Sequence, residues 1–359
     1  MQDMKGIISQ FIPADQIGQV QAFGNGHIND TYAVSGLSGE RRWILQRVNH
    51  HVFPRIETLQ RNVAIVSETL RNRLVAEGDP EADRKYLHFY PCLDNPEKNY
   101  YFDGENYWRV CRFIPESMSM SELTPAAARH AGEAFGKFEE VLSVIPEGVL
   151  GETIENFHSM PFRLRQLREA VAEDKVGRVA EVQDILDEIE SRAEAMLIQE
   201  ELYKQGKLPK RTIHCDTKVD NVLFDKSGTV LCVVDWDTVM PGFILSDVGD
   251  FIRTGVNFAP EDEPDLTKIG VNMEIYRAFV EGYLSSAGKF LNSTERSLIA
   301  YGGRLMTYMQ TVRFLADYLN GDTYFKIHKP DHNLQRTRAQ LRYLQCLEEK
   351  AAEMEALLA

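Results

Sequence analysis

The residues best suited to chemistry lie between positions 214 and 237. His214, Cys215, Asp216, Thr217, Lys218, Val219, Asp220 and Asn221 read H-x-D-x-x-x-x-N, and after residues 222–234 an apolar run ends on Asp235, Trp236 and Asp237. Phosphoryl transfer to a hydroxyl needs this set of groups. One carboxylate must orient the hydroxyl and accept its proton, and oxygen ligands must hold the magnesium that bridges the phosphates. An Asp early in a loop, Asp216, supplies the first function. Asn221, five residues later, can point back at the metal, and Asp235, at the end of a returning strand, completes its site. The bland alternative makes Asp216 and Asn221 turn residues and Asp235 a strand end.

The elements around these residues must hold them in register. RTIHCDTKVDNVLFD and TVLCVVDWD read as short strands flanking a loop. Upstream, AFGNGHINDTYAV and RRWILQRVN read as two strands joined through LSGE, and HFYPCLDN, NYYFDGEN and YWRVCRFIP as three more, with Asp103-Gly104 as a hairpin turn. RIETLQRNVAIVSETLRNRL has apolar residues at helical spacing, as does LTPAAARHAGEAFGKFEEVL. Residues 1–20 read as a short helix with Ile7, Ile8, Phe11 and Ile12 on its apolar side. Beyond Pro115 helices dominate. The last stretch spaces Leu344, Leu347, Ala351, Met354 and Leu358 by threes and fours, which predicts a terminal helix packed on its own lobe rather than a two-heptad coiled coil.

Composition excludes several classes. The chain has 359 residues, 43% hydrophobic and 26% charged, an ordinary globular balance. No apolar run reaches the ~20 residues of a membrane span, and the first residues carry no export signal. Five scattered cysteines without a C-x-x-C argue against disulfide or zinc frameworks, so the cytoplasm is the expected compartment. A net charge of −14 disfavours nucleic acid as partner. No membrane partner is expected either, and the chain is expected as a monomer or weak homodimer.

The catalytic-loop pattern resembles the aminoglycoside phosphotransferase and choline kinase group. That resemblance implies an α+β, bilobal protein-kinase-like fold. A small β-rich N-lobe, residues 1–114, would carry the nucleotide phosphate loop and hinge. A larger, mainly helical C-lobe, residues 115–359, would carry the catalytic loop, metal site and acceptor pocket. It implies Asp216 as catalytic base with His214 supporting its loop, Asn221 and Asp235 as Mg2+ ligands, ATP as co-substrate, and Asp247 of LSDVGDFIR as a structural brace. Lys218 is left between a phosphate contact and a surface position, and Asp237 between a metal-side role and a strand-end cap. The segment Phe23 to Tyr32 would cover the phosphates, with Gly24 and Gly26 allowing close backbone approach and Asn29 and Thr31 offering polar contacts. Where kinases of this fold carry a strand lysine paired with a helix glutamate, WILQRV offers Gln46 with Arg47 beside it, and Glu57 and Glu68 are the candidate partners. Arg109 to Ile114 occupies the hinge position, where the backbone of Arg112, Phe113 and Ile114 would hold the adenine.

The similarity is wider than the loop. GHINDTY, RWILQRVN, HxDTKxxN, DxDTxMPG, DxGDxIRxG, RFLADYLxGDxYF and HNLxRTRxQ resemble the bacterial N-acetylhexosamine 1-kinases from about residue 23 to 345. This implies phosphorylation of the anomeric hydroxyl of N-acetylglucosamine or N-acetylgalactosamine, with His27, Asp216, Arg313 and Tyr324 in the sugar pocket. Two other readings stand beside it. One keeps the fold with choline, homoserine, methylthioribose or an aminoglycoside as acceptor, and the other is a non-catalytic kinase-like binding module.

Overall fold

The computed structural model describes residues 3–24, 28–120 and 123–358. The chain divides into two compact units, one formed by Met1–Ser121, Glu140–Glu155 and Asp220–Pro241, the other by Glu122–Glu139, Asn156–Val219 and Gly242–Ala359.

The first unit is built on a five-stranded antiparallel sheet. Its strands are β1 (Val20–Ala22), β2 (Asp30–Ser35), β3 (Arg41–Val48), β4 (Tyr101–Phe102) and β5 (Tyr107–Arg112), in the order β1-β2-β3-β5-β4. Along β3, Trp43, Leu45 and Val48 are buried while Gln46 faces the other way, the period-two pattern of a strand with one apolar face. That face packs with Ile7, Ile8, Phe11, Ile12, Val34, Trp108 and Val110 into one apolar core. The first helix, α1 (Met4–Ile8), is shorter than the sequence predicts. Pro13 forbids a continuous helix to residue 20, although the four anticipated apolar residues are all buried. Helix α2 (Ile56–Ala76) forms as expected.

Two strand expectations need correction. HFYPCLDN forms no strand. Tyr90 N donates to Val110 O and Arg112 N to His88 O, both at 2.9 Å, but Pro91 has no N–H to continue the ladder. AFGNGHINDTYAV is not one strand either, because β1 stops at Ala22 and Gly24 takes a φ of 74° before β2 begins. The Asp103-Gly104 turn forms as read, with Gly104 at φ 102° between β4 and β5.

The first unit also holds a small hairpin, β7 (Val222–Phe224) and β8 (Val230–Val233), with Val222 opposite Val233. The second unit is helical, with one short strand, β6 (Arg211–Ile213). Its helices are α3 (Pro125–Leu142, whose last turn enters the first unit), α4 (Met160–Glu173), α5 (Gln183–Arg192), α6 (Ile198–Lys204), α7 (Ile244–Gly255), α8 (Met273–Ala287), α9 (Ser293–Ser297), α10 (Ile299–Leu319), α11 (His332–Glu349) and α12 (Ala351–Ala356). Helix α10 is buried along almost its whole length, the expected state of a helix apolar on every side. It meets α7 at glycines. A Cβ on Gly249 would lie 2.2 Å from the carbonyl oxygen of Gly302, so only glycine permits this approach. The terminal Leu344, Leu347, Met354 and Leu358 are buried within the chain's own core, as the terminal-helix reading expects.

Among the described residues, no helix is long and apolar enough to cross a membrane.

Candidate active site

The loop after β6 carries Asp216. His214 is fully buried, its ring edge-on to Phe135 and Phe138 at 5.6 and 5.8 Å between centroids. Its backbone N–H donates to Asp247 Oδ2 at 2.6 Å, and the N–H of Cys215 donates to Asp247 Oδ1 at 2.7 Å. Thr217 Oγ1 donates to the Asp247 carbonyl. One buried carboxylate at the start of α7 therefore shapes the loop, including the left-handed φ of 65° at Cys215. Asp247 thus holds two successive backbone N–H groups of the loop, and the His214 ring packs on Phe135 and Phe138.

A residue that sequence reasoning missed supports the brace. Glu139 on α3 is buried, and burial, then the neighbouring Asp247, push its carboxyl well above the usual range. Tyr283 Oη donates to Glu139 Oε2, while Glu139 Oε1 is buried without a hydrogen-bond partner. Burial also raises Asp247 itself, against the pull of His214 and the two backbone N–H groups. Burial beside a second carboxylate thus favours the neutral form of Glu139.

Asp216 is partly exposed and forms an ion pair with Lys218, Nζ to Oδ2 at 3.0 Å. Lys218 therefore lies against the carboxylate named as base. Behind Asp216 is Asp250, buried and raised by burial; Arg253 opposes that shift and Asp216 adds to it. Arg253 Nε and Nη2 reach Asp250 Oδ1 at 3.0 and 2.9 Å, and Nη1 donates to Glu261. Burial works against the Arg253 charge, yet Asp250 and Glu261 hold its pKa above the ordinary guanidinium range. Asp250 and Arg253 fall inside the motif DxGDxIRxG, which was the available signal for them.

Arg313 on α10 extends this run of charges. It is within electrostatic reach of Arg253 and Glu261, and its guanidinium lies 5.3–5.8 Å from the rings of Phe157, Tyr324 and Phe325. Tyr324 is 64% exposed. Its loop is held by buried Asp317, whose carboxylate accepts from the backbone N–H of Thr323, Tyr324 and Phe325 and from Asn333 Nδ2, at 2.8–2.9 Å. Asp216, Arg313 and Tyr324 thus share one unit. His27 and Gly26 lie outside the described residues.

The remaining predicted groups belong to the first unit. The β7–β8 register sets Asn221 and Asp235 at the same end of the hairpin, and Val234 N donates to Asn221 O at 2.9 Å. Asn221 is buried in a single-turn segment, Val219–Asn221. Asp235 is exposed and strained at φ 63°, ψ 61°, leading into the turn Trp236–Thr238. Both offer oxygen, which suits a hard cation that keeps some water and phosphate ligands. Among the described residues no three His, Cys, Asp or Glu side chains cluster as a metal site.

Across three strands, Thr31, Gln46 and Arg109 form one row by register. Gln46 Nε2 donates to Thr31 Oγ1 at 3.3 Å, and Arg109 Nε donates to Gln46 Oε1 at 3.0 Å. Arg109 Nη2 pairs with Asp237 Oδ1 at 2.6 Å, and Asn29 Nδ2 donates to Asp237 Oδ2 at 2.6 Å. Asn29 Oδ1 accepts from Asn49 N at 2.9 Å. Asn29 and Asp237 therefore knit the segment before β2 to the strand row. The cation there is Arg109, a charge inside the apolar run of YWRVCR that sequence reasoning used only as the start of the hinge. Gly24 has open space where a Cβ would be. At the hinge, Phe113 N donates to Arg42 O at 2.9 Å, Arg112 pairs with Asp83 at 2.6 Å, and Ile114 packs with Leu231 and Cys232.

The sequence matches the phosphotransferase enzyme family over residues 19–288. The solved structures it is similar to include an aminoglycoside phosphotransferase from Alicyclobacillus acidocaldarius, with a TM-score of 0.67 at 14% identity over 99% of this chain and 97% of that one. A spectinomycin phosphotransferase in complex with ADP and spectinomycin matches with a TM-score of 0.60 at 14% identity, over 97% and 99%. A Plasmodium vivax ethanolamine kinase matches with a TM-score of 0.56 at 14% identity, over 94% and 87%. At such identities the likeness establishes the kinase-like α+β fold. The chain belongs to the phosphotransferase enzyme family.

Proposed function

We propose that this phosphotransferase moves the γ-phosphoryl group of ATP onto the anomeric hydroxyl of an N-acetylhexosamine. The observation that carries the reading is the run Asp216, Asp250, Arg253, Glu261, Arg313 and Tyr324 within one unit. It sets paired hydrogen-bonding groups and an exposed aromatic ring in electrostatic succession from the carboxylate named as base. A sugar needs that combination, with fork-like donors for neighbouring hydroxyls and a ring face for its C–H surface.

Asp216 orients the acceptor hydroxyl and takes its proton as the oxygen bonds to the γ-phosphorus. The bond from that phosphorus to the β–γ bridging oxygen breaks, and ADP leaves with the electron pair. An anomeric hydroxyl is more acidic than an ordinary alcohol, so a weak base suffices and positioning does most of the work. Lys218 lies beside the carboxylate that takes the proton. Asn221 and Asp235 would hold magnesium, which when bound would offset the charge developing on the phosphates.

A second reading takes an amino alcohol or aminoglycoside as acceptor, favoured by the ethanolamine kinase and spectinomycin phosphotransferase among its structural relatives. An ATP-consumption assay over N-acetylhexosamines, parent hexoses, choline, ethanolamine, homoserine, methylthioribose and aminoglycosides decides. Turnover led by the N-acetylhexosamines supports the first reading, and inactivity on all of them sinks it.

A further inference from the structure

Beside Arg313 stands a second arginine that the phosphoryl chemistry does not use. Arg163 on α4 donates from Nε and Nη2 to the carbonyl of Phe157, at 3.2 and 2.8 Å, and from Nη1 to Gln166 Oε1 at 2.8 Å. The Phe157 ring carries Arg313 on one side, at 5.4 Å, and stacks with the ring of His158, at 4.4 Å and 17° between planes. Arg313 donates from Nη1 to Gln310 Oε1 at 3.0 Å. A guanidinium has five N–H groups, so both arginines keep donors for another partner.

Among the described residues, neither Arg163 nor Arg313 has a carboxylate within ion-pair distance. The strain of that arrangement is visible. Burial, then Arg313, lowers Arg163 to about 10. Burial, then Arg313, Arg163 and Arg253, pushes His158 well below its ordinary value, so the imidazole is neutral. Its Nδ1 is buried without a hydrogen-bond partner. Two partly buried cations without a carboxylate at ion-pair distance, beside a buried polar nitrogen without a partner, suit a ligand that completes them.

We propose that Arg163, Arg313 and His158 form the recognition site for an acylamino substituent of the acceptor. The inference rests on the acceptor reading above. An acylamino group presents a carbonyl oxygen and an N–H side by side. The oxygen takes the spare guanidinium N–H groups, the N–H donates to the neutral imidazole nitrogen, and the methyl lies on the Phe157, Tyr324 and Phe325 rings. An ammonium group in its place meets two like charges, and a hydroxyl satisfies one of the two polar partners. A site whose buried polar groups are left unpaired by the wrong substrate discriminates strongly.

The test compares N-acetylglucosamine and N-acetylgalactosamine with their 2-amino and 2-hydroxy counterparts, in turnover and in calorimetric binding without nucleotide. The wild type should favour the acetylated sugar over each counterpart by at least about 100-fold in kcat/KM. R163Q and H158F should each shrink that ratio at least about tenfold, with R163K, which keeps the charge, as the variant of choice if R163Q unfolds early. Variants that melt with the wild type and keep its preference overturn the site while the acceptor reading stands. Binding of the acetylated sugar that H158F abolishes, without turnover of any hexosamine, keeps the site and removes the acceptor reading. Neither binding nor turnover removes both.

Discussion

Arg109 and Asp237 form an ion pair at 2.6 Å with side chains only 3% and 2% exposed. The pair joins the middle of the sheet to the turn that begins at Asp235, and Asn29 holds the second oxygen of Asp237. It supplies a cation and a carboxylate in the lobe where a kinase lysine and glutamate were sought, but on different elements.

Breaking this pair leaves a buried charge without its partner. Arg109→Leu should lower stability by about 3–5 kcal/mol, read by urea denaturation. At a temperature where the variant is folded, its requirement for magnesium and ATP should rise, because Asp237 lies two residues from Asp235. A loss below ~1 kcal/mol would show that the pair is not an anchor.

Asp216→Asn should reduce kcat by about 10²–10⁴-fold with a much smaller change in ATP binding. Asp235→Asn and Asn221→Ala should instead raise the magnesium concentration needed for half-maximal rate. Near-normal turnover by Asp216→Asn would refute its assignment as the base.

Glu139 makes stability depend on pH. Its folded pKa is raised, by burial first and then by Asp247, above an unfolded value of about 4.3. The stability linked to its protonated form is complete below that pH and declines as pH climbs toward the folded value. Glu139→Gln stays neutral at every pH. Its melting temperature should fall less steeply than the wild type's between about pH 5 and 8; parallel curves would contradict the assignment.

All five cysteines are buried. Burial holds Cys111 at about 11 and raises Cys92, Cys232 and Cys346. A thiol reagent at pH 8 should leave the native protein unmodified and titrate all five thiols after unfolding, since thiolate and access are both required.

Asp317→Ala removes the single carboxylate that gathers three backbone N–H groups of the Tyr324 loop. The acceptor KM should rise about 10–100-fold while the ATP KM moves little. An equal rise in both would place the loop's role elsewhere.

Much of the machinery was legible because it is local. The H-x-D-x-x-x-x-N loop, the apolar strand ending on Asp235, the brace at Asp247 and the long helices follow from short-range spacing and periodicity. Gln46 announced itself as a departure. Its consequence did not, because Arg109 lies 63 positions away and becomes its neighbour only through the β3–β5 register.

The sequence by itself pointed to the class of chemistry, since residue type and spacing from Asp216 to Asp235 suit a base and two oxygen ligands. The tertiary structure decided which charges are paired and which are not. It buried Glu139 against Asp247, gave Arg109 to Asp237, and set Arg163 and Arg313 around Phe157 without a carboxylate. The physical reason is desolvation, which fixes the cost of a charge through neighbours far away in the chain and leaves no periodic trace in the sequence.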